Sequence, residues 1–265
     1  MKDLDGRKAL VTGSATGLGR SIAVKLAERG ADVIINYTRS GADAEEAADL
    51  CRAAGAQVLL VQANVADPDG CRALADAAGQ WGRLDILVNN AGMTRHARDH
   101  SDLDALSKGD FMDIYEVNVV GAYLVLQATK PLLQAAHAQS GRSSAVLNTS
   151  SIAGVKGVGS SVAYAASKGA LNTMTLSLAR ALAPAIRVNA ICPGFIGTRW
   201  FKDTMDAADF ADTVRRIEEL TPLAAASAPD DIADAALFFL SDASRHVTGE
   251  MLLVDAGMHL GKQRA

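Results

Sequence analysis

The sequence is short of most features that would place it in an extracellular, membrane or nucleic-acid-binding class. Its three cysteines, Cys51, Cys71 and Cys192, are odd in number and widely spaced. That pattern excludes a disulfide framework and fits reduced, structural thiols in a reducing compartment. Its 26 Lys and Arg against 30 Asp and Glu leave a formal charge of -4, so no basic footprint exists for nucleic acid or an anionic membrane. No run approaches the roughly 18 apolar residues of a membrane span, and the start lacks the charged and apolar regions of a leader. The expectation is a cytoplasmic protein with neither a membrane nor a nucleic acid as partner. The five histidines (His96, His100, His137, His246, His259) lack ligand spacing, so no metal site is expected. A Gly-x-Ser-x-Gly elbow for an acyl nucleophile is also missing. No Pro/Ser-rich linker, charge block or internal repeat breaks the chain, and residues 1–265 read as one domain.

What the chain does have is 49% hydrophobic residues, arranged as short apolar runs alternating with helical patterns. Lys8–Thr12, Val33–Ile35, Val58–Gln62, Leu84–Val88, Ala145–Thr149, Arg187–Ile191 and Met251–Val254 read as strands. Helical periodicity covers Arg20–Arg29, Asp43–Ala54, Pro68–Gln80, Phe111–Ala135, Val162–Ala183 and Asp230–Leu240. Pro184 ends the fifth of these. Strands that are apolar throughout, separated by helices, belong to a parallel sheet covered on both faces. The fold class expected is α/β, a doubly wound Rossmann sheet of about seven parallel strands.

Several motifs fall at strand ends, where such sheets bind ligands. Gly13-Ser-Ala-Thr-Gly17-Leu-Gly19 follows the first strand, and residues without Cβ there let the backbone bend and approach a pyrophosphate. Its Gly-x3-Gly-x-Gly spacing differs from the general dinucleotide fingerprint. Asn89-Asn90-Ala91-Gly92 follows the fourth strand, Ser150-Ser151 the fifth, and Pro193-Gly194-Phe195-Ile196-Gly197-Thr198 the sixth. Asn118 lies between two valines on a long helix and is either a satisfied core amide or a functional one.

Tyr164-Ala-Ala-Ser-Lys168 places a phenol and an ammonium on one helical face. A cation about 4 Å from a phenol, at an effective dielectric of about 20, stabilises the phenolate by about 4 kcal/mol. That would bring Tyr164 toward use as a general acid/base near neutrality.

Taken in order and at this spacing, the glycine turn, Asn89–Gly92, Asn118, Ser151, Tyr164-x3-Lys168, Pro193-Gly194 and Val247-Thr-Gly249 resemble the classical short-chain dehydrogenase/reductase family. The members most similar in look are 3-oxoacyl-acyl-carrier-protein reductases. The resemblance implies that Tyr164 gives or takes the carbonyl/alcohol proton and that Ser151 holds the substrate oxygen. Lys168 would bind the nicotinamide ribose and lower the phenol pKa, and Asn118 would hold a water in a proton relay. It further implies a cofactor lying against Gly13, Thr16, Gly17, Leu18, Gly19, Asn36, Arg39, Asn64, Val65, Asn90, Ala91, Gly92, Tyr164, Lys168, Pro193, Gly194, Ile196 and Thr198. Asn64 departs from the family's usual Asp. The segment Ile196–Pro222, carrying Trp200, Phe201, Met205 and Phe210, is the expected substrate lid.

The implied activity moves hydride between a nicotinamide and a carbonyl or secondary alcohol in a ketoacyl thioester, ketone or sugar/polyol. The rival reading is a silent dinucleotide sensor or scaffold, against which the complete Ser151/Tyr164/Lys168/Asn118 set argues. NADP(H) is expected over NAD(H): residues 36–40 after the second strand hold no carboxylate, while Arg39 can meet a 2′-phosphate. A homotetramer is expected because helices 111–135 and 162–183 carry apolar or small residues on more than one face (Val120, Ala122, Val125; Ala163, Ala166, Ala170, Leu171). Residues 134–140 are nearly uncharged where an acidic acyl carrier protein would want a basic patch, so that partner is left open.

Overall fold

Apolar strands can bury both sets of side chains only where helices cover the sheet twice, and the computed structural model is built that way. It describes residues 2–97, 99–202 and 206–262. Seven strands, β1 (Lys8–Val11), β2 (Asp32–Tyr37), β3 (Val58–Gln62), β4 (Ile86–Asn89), β5 (Ser144–Thr149), β6 (Ile186–Pro193) and β7 (Met251–Val254), pair in parallel in the order β3-β2-β1-β4-β5-β6-β7. Between them run α1 (Gly17–Glu28), α2 (Gly41–Ala53), α3 (Pro68–Gly79), α4 (Lys108–Tyr115), α5 (Ala122–Ser140), α6 (Ala153–Lys156), α7 (Val162–Leu182), α8 (Arg199–Lys202), α9 (Ala207–Leu220) and α10 (Pro229–Leu240). Successive strand side chains point to opposite faces. Val11, Val33 and Ile35 therefore join one core with Ile22 and Leu26 of α1, Ala47 of α2 and Ile232 of α10. Leu10 and Ile34 join the other, with Leu74 of α3, Val125 of α5 and Ala179 of α7.

The chain winds from β1 out to β3 and then returns to place β4 on the other side of β1. That reversal opens a crevice above the C-terminal ends of β1 and β4.

Two stretches differ from expectation. The helix read over 111–135 starts at Lys108, where Ser107 and Asp110 form a reciprocal capping box. It is then interrupted by a π-helical turn at Glu116–Gly121 before continuing as α5. The extra residue in that turn lets Asn118 face inward at 1% exposure. The segment 196–222 contains α9, capped by the Asp206 carboxylate accepting from Asp209 N–H at 2.8 Å. This helix is amphipathic yet buries no residue fully, and the sequence reading took its apolar residues as part of a lid. Met205 and the side chain of Phe201 lie outside the described residues.

Candidate active site

The β1 end supplies a cradle for an anion. Gly13 and Gly17 take left-handed backbone angles, φ +60° and +57°, which a Cβ would penalise. Thr16 caps α1 without a side-chain hydrogen bond, and no carboxylate stands in the helix's first turn. The amides of the first turn, at Gly17, Leu18 and Gly19, therefore keep the positive end of the helix available to a phosphate. A Cβ at Gly19 would lie 2.4 Å from Asn90 Nδ2 and 2.5 Å from the Gly13 carbonyl, so the turn is packed to the backbone. These features fit a dinucleotide pyrophosphate.

The turn is fastened to its neighbours by polar side chains. Thr12 Oγ1 accepts from the N–H groups of Asn90 (2.9 Å) and Ala91 (3.0 Å), and Asn90 Nδ2 donates to the carbonyls of Thr12 and Gly13, each at 3.0 Å. Asn89, the other amide, points inside: its Nδ2 donates to Asn148, whose own Nδ2 donates to Thr175.

Asn36 departs from its expected role. It is 1% exposed; Oδ1 accepts from Gly13 N–H at 3.1 Å, and Nδ2 donates to the Val61 and Ala63 carbonyls. Both ends of the amide are committed to protein, so the side chain expected against the cofactor is a strut between β2, β3 and the glycine turn. Arg39, by contrast, is exposed, and no described residue pairs with it. Asn64 is exposed at the β3 end and accepts from Ala66 N–H, while Val65 is buried against Gly121.

The β4, β5 and β6 ends carry the candidate chemistry. Asn118 Oδ1 accepts from Met93 N–H at 2.8 Å, and Nδ2 donates to the Met93 carbonyl and to Ser167 Oγ, each at 3.0 Å. A Cβ at Gly92 would lie 3.3 Å from Asn118 Oδ1 and 3.7 Å from Lys168 Nζ, so Gly92 joins the two. Of the two serines after β5, Ser150 is buried and donates to the Lys168 carbonyl, whereas Ser151 is half-buried and hydrogen-bonds the Tyr164 phenol. Tyr164 and Lys168 reach this point because Ser161 caps α7 through Tyr164 N–H. Gly194 follows β6 against Asp255, Ile196 pairs with Ser227, and Thr198 lies over Gly17, its Cγ2 3.5 Å from where a Cβ there would stand.

The electrostatics of the pair are not those the spacing alone implies. Lys168 Nζ donates to the Thr149 carbonyl at 2.7 Å and stands 5.6 Å from the Tyr164 ring centroid. Burial outweighs the Ser151 hydrogen bond and pushes the phenol up to about 12, while burial draws the Lys168 ammonium down to about 8. The expected lowering of the phenol by Lys168 is thus corrected: in this arrangement Tyr164 is a protonated acid at neutral pH.

Sequence reading missed two supports. Thr149 positions Lys168 through a carbonyl that any residue could supply, so no residue-type signal existed. Gly154 is legible only as a glycine: a Cβ there would lie 2.5 Å from the Lys168 carbonyl carbon, so α6 and α7 touch through backbone.

The family model for enoyl-(acyl carrier protein) reductases matches residues 13–259. The chain is 42% identical to ketoacyl reductase 2 of the granaticin polyketide synthase from Streptomyces violaceoruber, covering 95% of this chain and 96% of the relative. Among solved structures, a short-chain dehydrogenase/reductase from Burkholderia xenovorans superposes with a TM-score of 0.87 at 40% identity, covering 96% and 98% of the two chains. A carveol dehydrogenase from Mycobacterium avium in complex with NAD gives 0.85 at 30% identity, covering 97% and 99%. With this fold, this crevice and these likenesses, the chain belongs to the short-chain dehydrogenase/reductase family, oxidoreductases that exchange a hydride between a nicotinamide and a carbonyl/alcohol pair.

Proposed function

We propose that the protein is a carbonyl reductase of that family that prefers NADP(H) to NAD(H), with Tyr164 as its general acid, and that it works as a cytoplasmic homotetramer. The observation that carries the catalytic assignment is the convergence at the crevice of Tyr164 and Lys168, its Nζ 5.6 Å from the ring centroid, with Ser151 beside the phenol. A nicotinamide held at the crevice would supply the hydride for the carbonyl carbon. Tyr164 Oη gives its proton to the carbonyl oxygen, completing the alcohol. Ser151 holds that oxygen and, by donating to the phenol, stabilises the phenolate left behind. Lys168, held by the Thr149 carbonyl with Nζ 5.6 Å from the Tyr164 ring centroid, returns a proton. Asn118 fixes Met93, and with it the backbone that lines the crevice. A silent scaffold would have no use for a protonated phenol hydrogen-bonded to a serine at the ligand edge.

The NADP(H) preference rests on Arg39. It is the exposed cation of the β2–α2 connection, and residues 36–40 offer no carboxylate to compete for ribose hydroxyls or repel a 2′-phosphate. The tetramer rests on exposed apolar residues on two groups of elements: Met112, Val120, Tyr123 and Leu176 on α4, the π turn, α5 and α7, and Phe238 and Leu252 on α10 and β7. Of the residues expected to be left over, Val125, Ala163 and Leu171 are spent in the chain's own core, and Val120 and Ala166 are exposed. The cytoplasmic reading is supported by three buried, unpaired cysteines. The test is oxidation of NADPH and of NADH with a panel of ketoacyl thioesters, ketones and ketoses, alongside light scattering at micromolar concentration. Turnover of none, or a monomer, rejects the corresponding part.

A further inference from the structure

The segment after β6 brings one large side chain over the proposed acid. The ring centroids of Trp200 and Tyr164 are 6.3 Å apart with planes tilted by 54°, and Trp200 remains 38% exposed. Its neighbours at that height are apolar or already committed. Gly159 approaches the Tyr164 ring, a Cβ there standing 3.7 Å from Cδ1, and Val158 beside it and Val155 of α6 are exposed. Thr94 and Ser160 are hydrogen-bonded to each other at 2.5 Å, Ser161 is spent on Tyr164 N–H, and Lys156 Nζ donates to the His259 carbonyl at 3.1 Å.

A sugar or polyol needs several convergent donors and acceptors, and the hydroxyls here already have partners. A short aliphatic acyl chain gains from Val155 and Val158 but makes little use of an indole face. A flat aromatic ring one carbon from the carbonyl gains from both. Resting on the reductase reading above, we propose that Trp200 is a specificity-determining residue that selects apolar ketones bearing an aromatic ring one carbon from the carbonyl. A ring between Trp200 and Tyr164 would need two contact layers of about 3.5–4.0 Å each, more than the separation present. The substrate ring therefore displaces the indole from Tyr164 and stacks on it.

The sequence has two tryptophans, and the other, Trp81, lies under Lys8 at 5.3 Å. A Trp81→Phe background thus makes emission report on Trp200 alone. In that background 2-tetralone, ethyl acetoacetate and an aldohexose are compared by turnover with NADPH and NADH, and by emission with oxidised cofactor present. The expected result is a higher kcat/KM for 2-tetralone than for ethyl acetoacetate, and emission that changes with 2-tetralone but not with the aldohexose. Trp200→Ala should lower kcat/KM for 2-tetralone about three- to tenfold, chiefly through KM, the size of one aromatic contact, and change ethyl acetoacetate less than about twofold. Trp200→Phe should keep most of the preference. Equal loss for both ketones, preference for the aldohexose, or emission indifferent to 2-tetralone overturns the inference. If none of the three is turned over, the reductase reading fails instead, and the emission arm still decides whether Trp200 binds the ring. If the alanine variant does not fold, the phenylalanine variant and emission decide.

Discussion

Gly19 and Asn90 stand so close that position 19 has no room for a methyl group: a Cβ there would meet Asn90 Nδ2 at 2.4 Å and the Gly13 carbonyl at 2.5 Å. Asn90 cannot swing aside, because the same nitrogen donates to the carbonyls of Thr12 and Gly13. Gly19→Ala should therefore cost about 1–3 kcal/mol, the usual price of overpacking, and weaken NADPH binding by more than about tenfold as the α1 amides shift. Urea unfolding and fluorescence titration check both. Pairing it with Asn90→Ala should recover part of the stability; full additivity of the two losses would refute the contact.

Tyr164→Phe removes the proton donor and leaves the ring. Turnover should fall by about 10²–10⁴-fold, with cofactor affinity within about threefold of wild type. A variant keeping more than about a tenth of the wild-type rate would show that another group protonates the substrate.

Lys168 gives a pH signature in the cofactor-free protein. Its folded pKa, about 8, lies below its ordinary value of 10.5. Between those values the unfolded chain holds a proton that the folded chain has lost. Stability from this group therefore rises as pH increases from about 8 to about 10.5, by up to about 1.4 kcal/mol per pH unit, and is lost as pH falls through 8. Lys168→Met should flatten that rise in denaturation midpoints. Parallel curves for wild type and variant would contradict the burial of the charge.

Arg39→Ala should reduce the preference for NADPH over NADH by about ten- to a hundredfold, the worth of one charge-assisted contact. Equal affinities in the wild type, or an unchanged ratio in the variant, would reject the 2′-phosphate assignment.

The sheet was legible because its strands are apolar runs closed by glycine, proline or polar residues; β3 and β7 begin and end where those runs do. The candidate site was legible as motifs, since glycines and hydroxyls at strand ends survive as residue types in any sequence. What stayed hidden was partner choice. Asn36 and Arg39 are three residues apart and equally polar, yet one is an internal strut and the other an exposed cation. Spacing placed Tyr164 and Lys168 side by side without revealing that the Thr149 carbonyl holds the ammonium. The π turn at Glu116–Gly121 was invisible because one extra residue in a turn leaves no compositional mark.

The helix α8 begins with Arg199, whose guanidinium grips both Asp43 oxygens across the crevice at 2.6 and 2.9 Å, 156 residues away in sequence. The guanidinium holds the Asp43 carboxyl below its usual range. Arg199 is nevertheless half exposed, and exposed pairs contribute about 0–1 kcal/mol and weaken as salt shortens the Debye length below about 10 Å. Thr198 over the glycine turn and Trp200 over Tyr164 are thus carried by a fastening whose grip is set by ionic strength. The same chain should exchange its cofactor faster in concentrated salt, with no residue altered.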